Sequence, residues 1–361
     1  MRNIHLLLLS LFLLISVAPV KASDSDQKEH EHHAAAHQEK FQPGEFIMGH
    51  IGDAYDWHIT SIGEKHISIP LPVIVYSQTS GWHVFLSSNF HHGHASYQGF
   101  KIAHEGEFKG KIVETVNGVE VRPVDLSMTK TVVAMLLSMI FLAWIFISVA
   151  KAYVRRTGKA PKGIQSWVEP VILFVRDEIA KPAIGDKKHE KFMPFLLTLF
   201  FFIWFNNMLG LIPLFPGGAN VTGNITITMV LALFTFLITT VNGNKNYWKH
   251  IFNAPGVPWW LKIPVPLMPI VELFGVFTKP FVLMVRLFAN ITAGHMIAMA
   301  FFSLIFIFGG ISHTAGYGIS VVSILFTVFM TMLELLVALI QAYVFTLLSA
   351  LYFGMATEEH H

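Results

Sequence analysis

Long apolar runs with few or no charges fill the second half of this chain, and they restrict it to a fold solvated largely by lipid. Residues 131–150 contain no Asp, Glu, Lys or Arg, and twenty such residues make enough helix to cross a hydrocarbon core of about 30 Å. Residues 192–215 and 225–241 form the second and third runs, followed by two longer ones at 263–308 and 319–353. Composition agrees, with 53% apolar and only 13% charged residues, about half the charge of an ordinary globular chain. A net charge of +2 without a basic patch points away from nucleic acid, and zero Cys excludes disulfides and thiolate metal sites.

The first 130 residues differ in kind. Arg2, an apolar stretch over 6–17 and the small-residue end Val20-Lys21-Ala22 read as a signal peptide over 1–22; a retained first helix is the alternative. Residues 23–40 are polar and His-rich and have nothing to bury, which predicts disorder. Residues 41–130 read as a small β-rich external domain. Strand character runs over 66–76 and 81–86, and Asn117-Gly118 between apolar alternations signals a type I′ hairpin. Of the 19 His, 12 lie between Ala22 and Lys130, and the spacing of His91, His92 and His94 could hold Zn²⁺ or Cu²⁺. Such a tract is equally a solvated linker.

Orientation follows from Lys and Arg. Ten of them lie between Lys151 and Lys191 and three more between Asn242 and Lys262, whereas the connections at 216–224 and 309–318 have none. These counts predict five transmembrane helices in the mature chain over 131–361, an external N-terminal domain and a cytoplasmic C-terminus. Trp248, Trp259 and Trp260 suit the cytoplasmic interfacial belt. The fold class is mainly α and polytopic, with the last two helices forming a hairpin.

Those two helices are too long. At about 1.5 Å per residue, 263–308 would reach roughly 69 Å and 319–353 roughly 52 Å, so they are either steeply tilted or broken. Pro264, Pro266, Pro269 and Pro280 can kink the first, and Gly309-Gly310 is expected to end it. The first also carries Glu272, Lys279, Arg286, Asn290 and His295. A charge at mid-membrane costs about 2.5–3.5 kcal/mol even on the lenient insertion scale. At 100° per residue, Glu272, Lys279, Arg286 and Asn290 share one face and His295 takes the opposite one. On the last helix Thr327, Thr331, Glu334 and Gln341 are expected to form one polar stripe. A hairpin closing over 309–318 brings His295 and Glu334 to matching depth, as a structural ion pair or a proton-exchanging unit.

The segment Arg286-Leu-Phe-Ala-Asn290-Ile-Thr-Ala-Gly-His295 resembles the signature of subunit a of F-type ATP synthases. So do Glu272-Leu-Phe-Gly-Val-Phe-Thr-Lys279-Pro280, Phe205-Asn206-Asn207-Met-Leu-Gly210-Leu-Ile-Pro213, Glu334-Leu-Leu-Val-Ala-Leu-Ile-Gln341 and Ala356-Thr-Glu-Glu-His. The likeness covers roughly 130–361, which it marks as a membrane proton-channel domain of the bacterial inner membrane. It implies two half-channels against a rotating c-ring, with Arg286 meeting the essential carboxylate of each passing c subunit. Asn290, His295, Glu334 and Gln341 would line the outer half-channel, with Glu272 towards the cytoplasmic exit. The implied partners are the c-ring, the subunit b stalk, other synthase subunits and lipid; no cofactor and no catalytic site of its own are implied. In some bacterial relatives the acid and the histidine exchange places, and most members lack the outer domain. A metal-ion transporter with an external His-rich domain is the competing reading, and an intramembrane metalloenzyme a remoter one, since no His-Glu-x-x-His occurs.

Overall fold

The computed structural model describes residues 42–62, 65–93, 95–116, 118–212, 215, 217–252 and 267–358. The expected signal peptide, the His-rich segment, Asn117, Trp259-Trp260, Pro264 and Pro266 lie outside the described residues.

A short helix, α1 (Pro43–Ile51), precedes eight strands, and nothing in the sequence pattern foretold it. The strands are β1 (Asp56–Ile62), β2 (Lys65–Pro70), β3 (Pro72–Ser77), β4 (Gly81–Leu86), β5 (Phe100–Ile102), β6 (Ile112–Val116), β7 (Val119–Val121) and β8 (Val124–Asp125). They form three small antiparallel sheets, β1-β2, β4-β3-β8 and β5-β6-β7. The expected single run over 66–76 is two strands in different sheets. Pro70 and Pro72 flank Leu71, where the chain changes sheet, and the Leu71 amide donates to Ser87 Oγ at 3.0 Å. The β6–β7 hairpin forms as its turn signal predicted, with Val116 opposite Val119 and Gly118 at φ +81°. Val73, Val75, Phe90, Phe100 and Ile112 make a dry core. Beside it, the Tyr55 hydroxyl donates to Asp125 Oδ2 at 2.5 Å. Burial, then that hydrogen bond, holds the Tyr55 phenol above its ordinary pKa.

The helices begin with α2 (Lys130–Arg155), capped by the Thr129 side chain. Next come α3 (Ile164–Phe174), a π turn over Val175–Ala180 and the short α4 (Lys181–Ile184). This basic connection is therefore helical and packed, not a loop. Asp177 joins Arg176 and Lys181 at 2.8 and 2.7 Å, and hydrogen bonds from both, Arg176 first, keep its carboxyl well below the usual range. Then follow α5 (His189–Leu211), α6 (Ile225–Val241), α7 (Lys245–Phe252), α8 (Leu267–Ile311) and α9 (His313–Thr357). Among the described residues, four helices are long and apolar enough to cross a membrane; α6 and α7, bent by 102°, make a fifth candidate if taken as one span. The centre is α5, apolar all round, with Leu196, Leu199, Phe200 and Ile203 buried.

The helices α8 and α9 have 45 residues each, about 68 Å apiece. Both are continuous. Pro280 lies inside α8 without ending it. The expected loop over 309–318 is wrong: only Ser312 separates the helices. A Cβ on Gly316 would stand 2.8 Å from the Gly309 Cα, so these glycines serve close helix approach where a turn was expected.

The β-rich part rests on the helices at several points. Trp57 of β1 is buried in the helical core, 5.0 Å from the Phe215 ring. The Phe46 ring of α1 lies 6.4 and 5.9 Å from Phe302 and Phe306 of α8. Asp53 accepts from the Thr131 amide at 3.1 Å.

A Cβ on Gly354 of α9 would fall 2.0 Å from the Ala183 carbonyl oxygen, whereas one on Gly275 meets nothing within 4 Å. Thermal unfolding in detergent should therefore show Gly354→Ala destabilised by about 1–3 kcal/mol. Gly275→Ala should be neutral or stabilised by up to about 1 kcal/mol, through helix propensity alone.

Candidate functional site

The two larger cavities among the described residues open on α8, one to each side of Arg286. The first is about 160 Å³ and is lined by Asn290, Gly294 and His295 of α8, Glu334 and Ala338 of α9, and Asn207 of α5. A water needs about 10–15 Å³ of such space, so several fit. The His295 Nδ1 atom lies 3.4 Å from Glu334 Oε1. That is within ion-pair reach, yet Oε1 is buried without an aligned hydrogen bond. A buried carboxylate oxygen left open calls for a partner, and the mostly apolar cavity beside it has room for water.

One glycine makes this closeness possible. A Cβ on Gly294 would meet Glu334 Oε1 at 2.6 Å, whereas one on Gly210 would stand in ordinary contact, 3.5 Å from His295 Nε2. Asn207 ties the elements together: its Nδ2 donates to the Ala338 carbonyl at 3.2 Å, and its Oδ1 accepts from the Thr222 hydroxyl. Sequence reasoning gave Asn207, Thr222, Gly294 and Gly210 no role of their own. The available signal was an Asn-Asn pair inside a long apolar run.

The second cavity, about 400 Å³, is lined by Glu272, Val276 and Lys279 of α8, Tyr247 and His250 of α7, and Glu358. The Lys279 ammonium also sits 5.7 Å from the Tyr352 ring centroid. Helical rise puts Lys279 about 10 Å to one side of Arg286 and His295 about 14 Å to the other. Arg286 lines neither cavity. Its side chain is exposed on the outer face of α8, and among the described residues no carboxylate pairs with it.

Some expectations need correction. Asn290 and His295, assigned to opposite faces, line one cavity; the wheel of an isolated helix ignores a hollow wide enough to be reached from both sides. The expected stripe on α9 splits, because Thr331 is exposed and bonds back to the Thr327 carbonyl at 2.9 Å while Glu334 and Gln341 are buried. Gln341 does not line the His295 cavity. The antiparallel contacts Gly309–Gly316, Phe301–Phe326 and His295–Glu334 share one register, which carries Gln341 to about the depth of Arg286. Of the histidines weighed as metal ligands, His91 is exposed at φ +45° and His94 lies outside the described residues. The described residues contain no group of three His, Asp or Glu able to hold a metal ion.

Residues 132–354 match the family described as ATP synthase A chain, and residues 46–130 match one described as a domain of unknown function, DUF8433. The chain is 42% identical over 265 residues to the ATP synthase subunit a of Chloroherpeton thalassium, covering 71% of this chain and 75% of that one. It is 42% identical over 255 residues to the ATP synthase subunit a of Myxococcus xanthus, covering 69% and 78%. With that of an Anaeromyxobacter species it shares 35% over 339 residues, covering 90% and 73%.

The contact between residue 294 and Glu334 can be tested by a double-mutant cycle on thermal stability. Gly294→Ala should push the carboxylate aside and destabilise; Glu334→Asp, one methylene shorter, should relieve part of that loss only in the alanine background. A coupling of about 0.5–3 kcal/mol is expected, and additive changes would deny the contact.

Proposed function

Because the chain belongs to the ATP synthase A chain family, we propose that it is the proton-translocating stator subunit of an F-type synthase, facing a rotating ring of c subunits. The observation that carries this reading is Arg286, a permanent charge on an apolar helix, exposed and, among the described residues, without a carboxylate partner. Its counter-charge then comes from a partner. In this account the partner is the essential carboxylate of each c subunit in turn.

The two cavities are the natural half-channels. Protons enter by the Asn290, His295 and Glu334 cavity, with Gln341 at the depth where the rotor site is met. They leave past Glu272 and Lys279, beside the basic connections that face the cytoplasm. On this topology α2, α5, α6 with α7, α8 and α9 span the bacterial inner membrane, the β-rich domain over 41–130 is external, and the C-terminus is inside. The ten Lys and Arg between Lys151 and Lys191 support that orientation. The subunit b stalk and the remaining synthase subunits are partners in the same reading, and nucleotide chemistry is left to them.

The coupling is electrostatic. Facing lipid, a rotor carboxylate stays protonated. Within about 4 Å of Arg286 it gains about 4 kcal/mol at an effective dielectric of 20, enough to favour ionisation and release towards the exit. Past the arginine it is refilled from the His295–Glu334 cavity. The same positive charge repels protons that would cross directly between the cavities.

Arg286→Ala and Arg286→Lys should each lower proton-driven ATP synthesis at least about a hundredfold while the complex still assembles. The lysine fails because an ammonium can lose its proton on desolvation, which a guanidinium does not. The alanine variant should also leak protons passively into vesicles under an imposed potential. Wild-type synthesis from an assembled Arg286→Ala complex would overturn the assignment.

A further inference from the structure

The β4-β3-β8 sheet is apolar on both faces. Inward, Val73, Val75 and Phe85 enter the dry core. Outward, the register makes three cross-strand rows. Trp82, Tyr76 and Val124 form the outermost row, with Trp82 61% exposed. Val84 at 70% lies opposite Ile74, whose carbonyl accepts from the Leu126 amide, and Leu126 is 57% exposed. Leu86 faces Pro72, whose carbonyl accepts from the Met128 amide. None of these nine positions carries a charge. An antiparallel sheet with one face packed ordinarily presents polar residues on the other, so this face has a second covering.

Continuity identifies that covering. Val124, Leu126 and Met128 alternate outward while Asp125 and Ser127 turn inward to bond Tyr55 and the β3 backbone. The extended segment then passes through Thr129 directly into α2, whose Ile140, Trp144 and Ile147 are exposed along an apolar surface. The chain therefore runs directly from the edge of this sheet face into a helix whose exposed side is apolar. The outer row of the face pairs a Trp and a Tyr with ring centroids 5.1 Å apart. An apolar centre edged by amphipathic aromatics is the profile of a surface held at the headgroup–acyl boundary.

We propose that the outward face of the β4-β3-β8 sheet lies on the bilayer, so that the β-rich domain is a membrane-surface module and not a freely projecting one. This rests on the membrane-spanning nature of α2, not on the proton pathway or on which side the domain occupies.

The chain has no Cys, so Val84→Cys and Leu126→Cys each place one nitroxide-reactive thiol in it, with thiols of other subunits replaced. The assembled complex in liposomes is then examined by spin-label relaxation with oxygen, which concentrates in lipid, and with a water-soluble nickel chelate. Ile140→Cys reports lipid and Glu105→Cys reports water. Oxygen-dominated relaxation at both sheet positions, weaker than at the deeper Ile140→Cys but clearly above that at Glu105→Cys, is the expected result. Nickel-dominated relaxation like that at Glu105→Cys would overturn the proposal by showing the face wet. Protection from both reagents would overturn it equally, by showing that protein covers the face.

Discussion

A permanent charge on an apolar helix is tolerable only if another charge or water compensates it, and the arrangement of the membrane helices turns on how α8 meets this condition. Arg286 has neither a carboxylate from its own described chain nor a place in either cavity. Its polar neighbours along the helix, by contrast, are served by water-sized space: His295 with Glu334 on one side, Glu272 and Lys279 on the other. In the proposed mechanism, one uncompensated guanidinium between two compensated groups makes a divided path with a barrier at the division. A second carboxylate of this chain beside Arg286 would neutralise the barrier and leave a moving partner nothing to meet.

The cavities depend on close packing around them. Between helices in lipid there is little hydrophobic drive, so small residues that let backbones approach carry much of the association. Gly316 against Gly309 closes the α8–α9 hairpin, and Gly354 against Ala183 seats the basic connection on α9. Gly294 acts differently: the volume it leaves is occupied by Glu334. Near the hairpin end glycine brings backbones together, and beside the His295 cavity it makes room for a buried carboxylate. Asn207, bonded to both α9 and Thr222, keeps that room at a defined size.

Much of this was legible in the sequence. The third apolar run and α6 agree residue for residue, the Asn-Gly hairpin formed, and His295 and Glu334 met as their depth suggested. Local rules failed where tertiary packing competes with them. Gly309-Gly310 carries a turn signature, but across from Gly316 its value is close approach. The helical wheel placed Asn290 away from His295 because it knows the angle around one helix and not the width of the hollow between two. Thr331 satisfied its hydroxyl on its own backbone and so had no need to face inward. The helix α1 is nine residues, too short for periodicity to reveal, and is held by Phe46 against α8.

The central claim is that the exposed Arg286 face of α8 is where the rotor carboxylate passes. Val282 and Ala293 bracket Arg286 on that face and both are exposed. In the assembled complex, Val282→Cys and Ala293→Cys can each be combined with a cysteine one turn from the essential carboxylate of the c subunit and oxidised. The account predicts rapid cross-linking of both to the rotor, and none from Ile140→Cys on the lipid-facing side of α2. Cross-linking from α2 with none from either α8 position would contradict it.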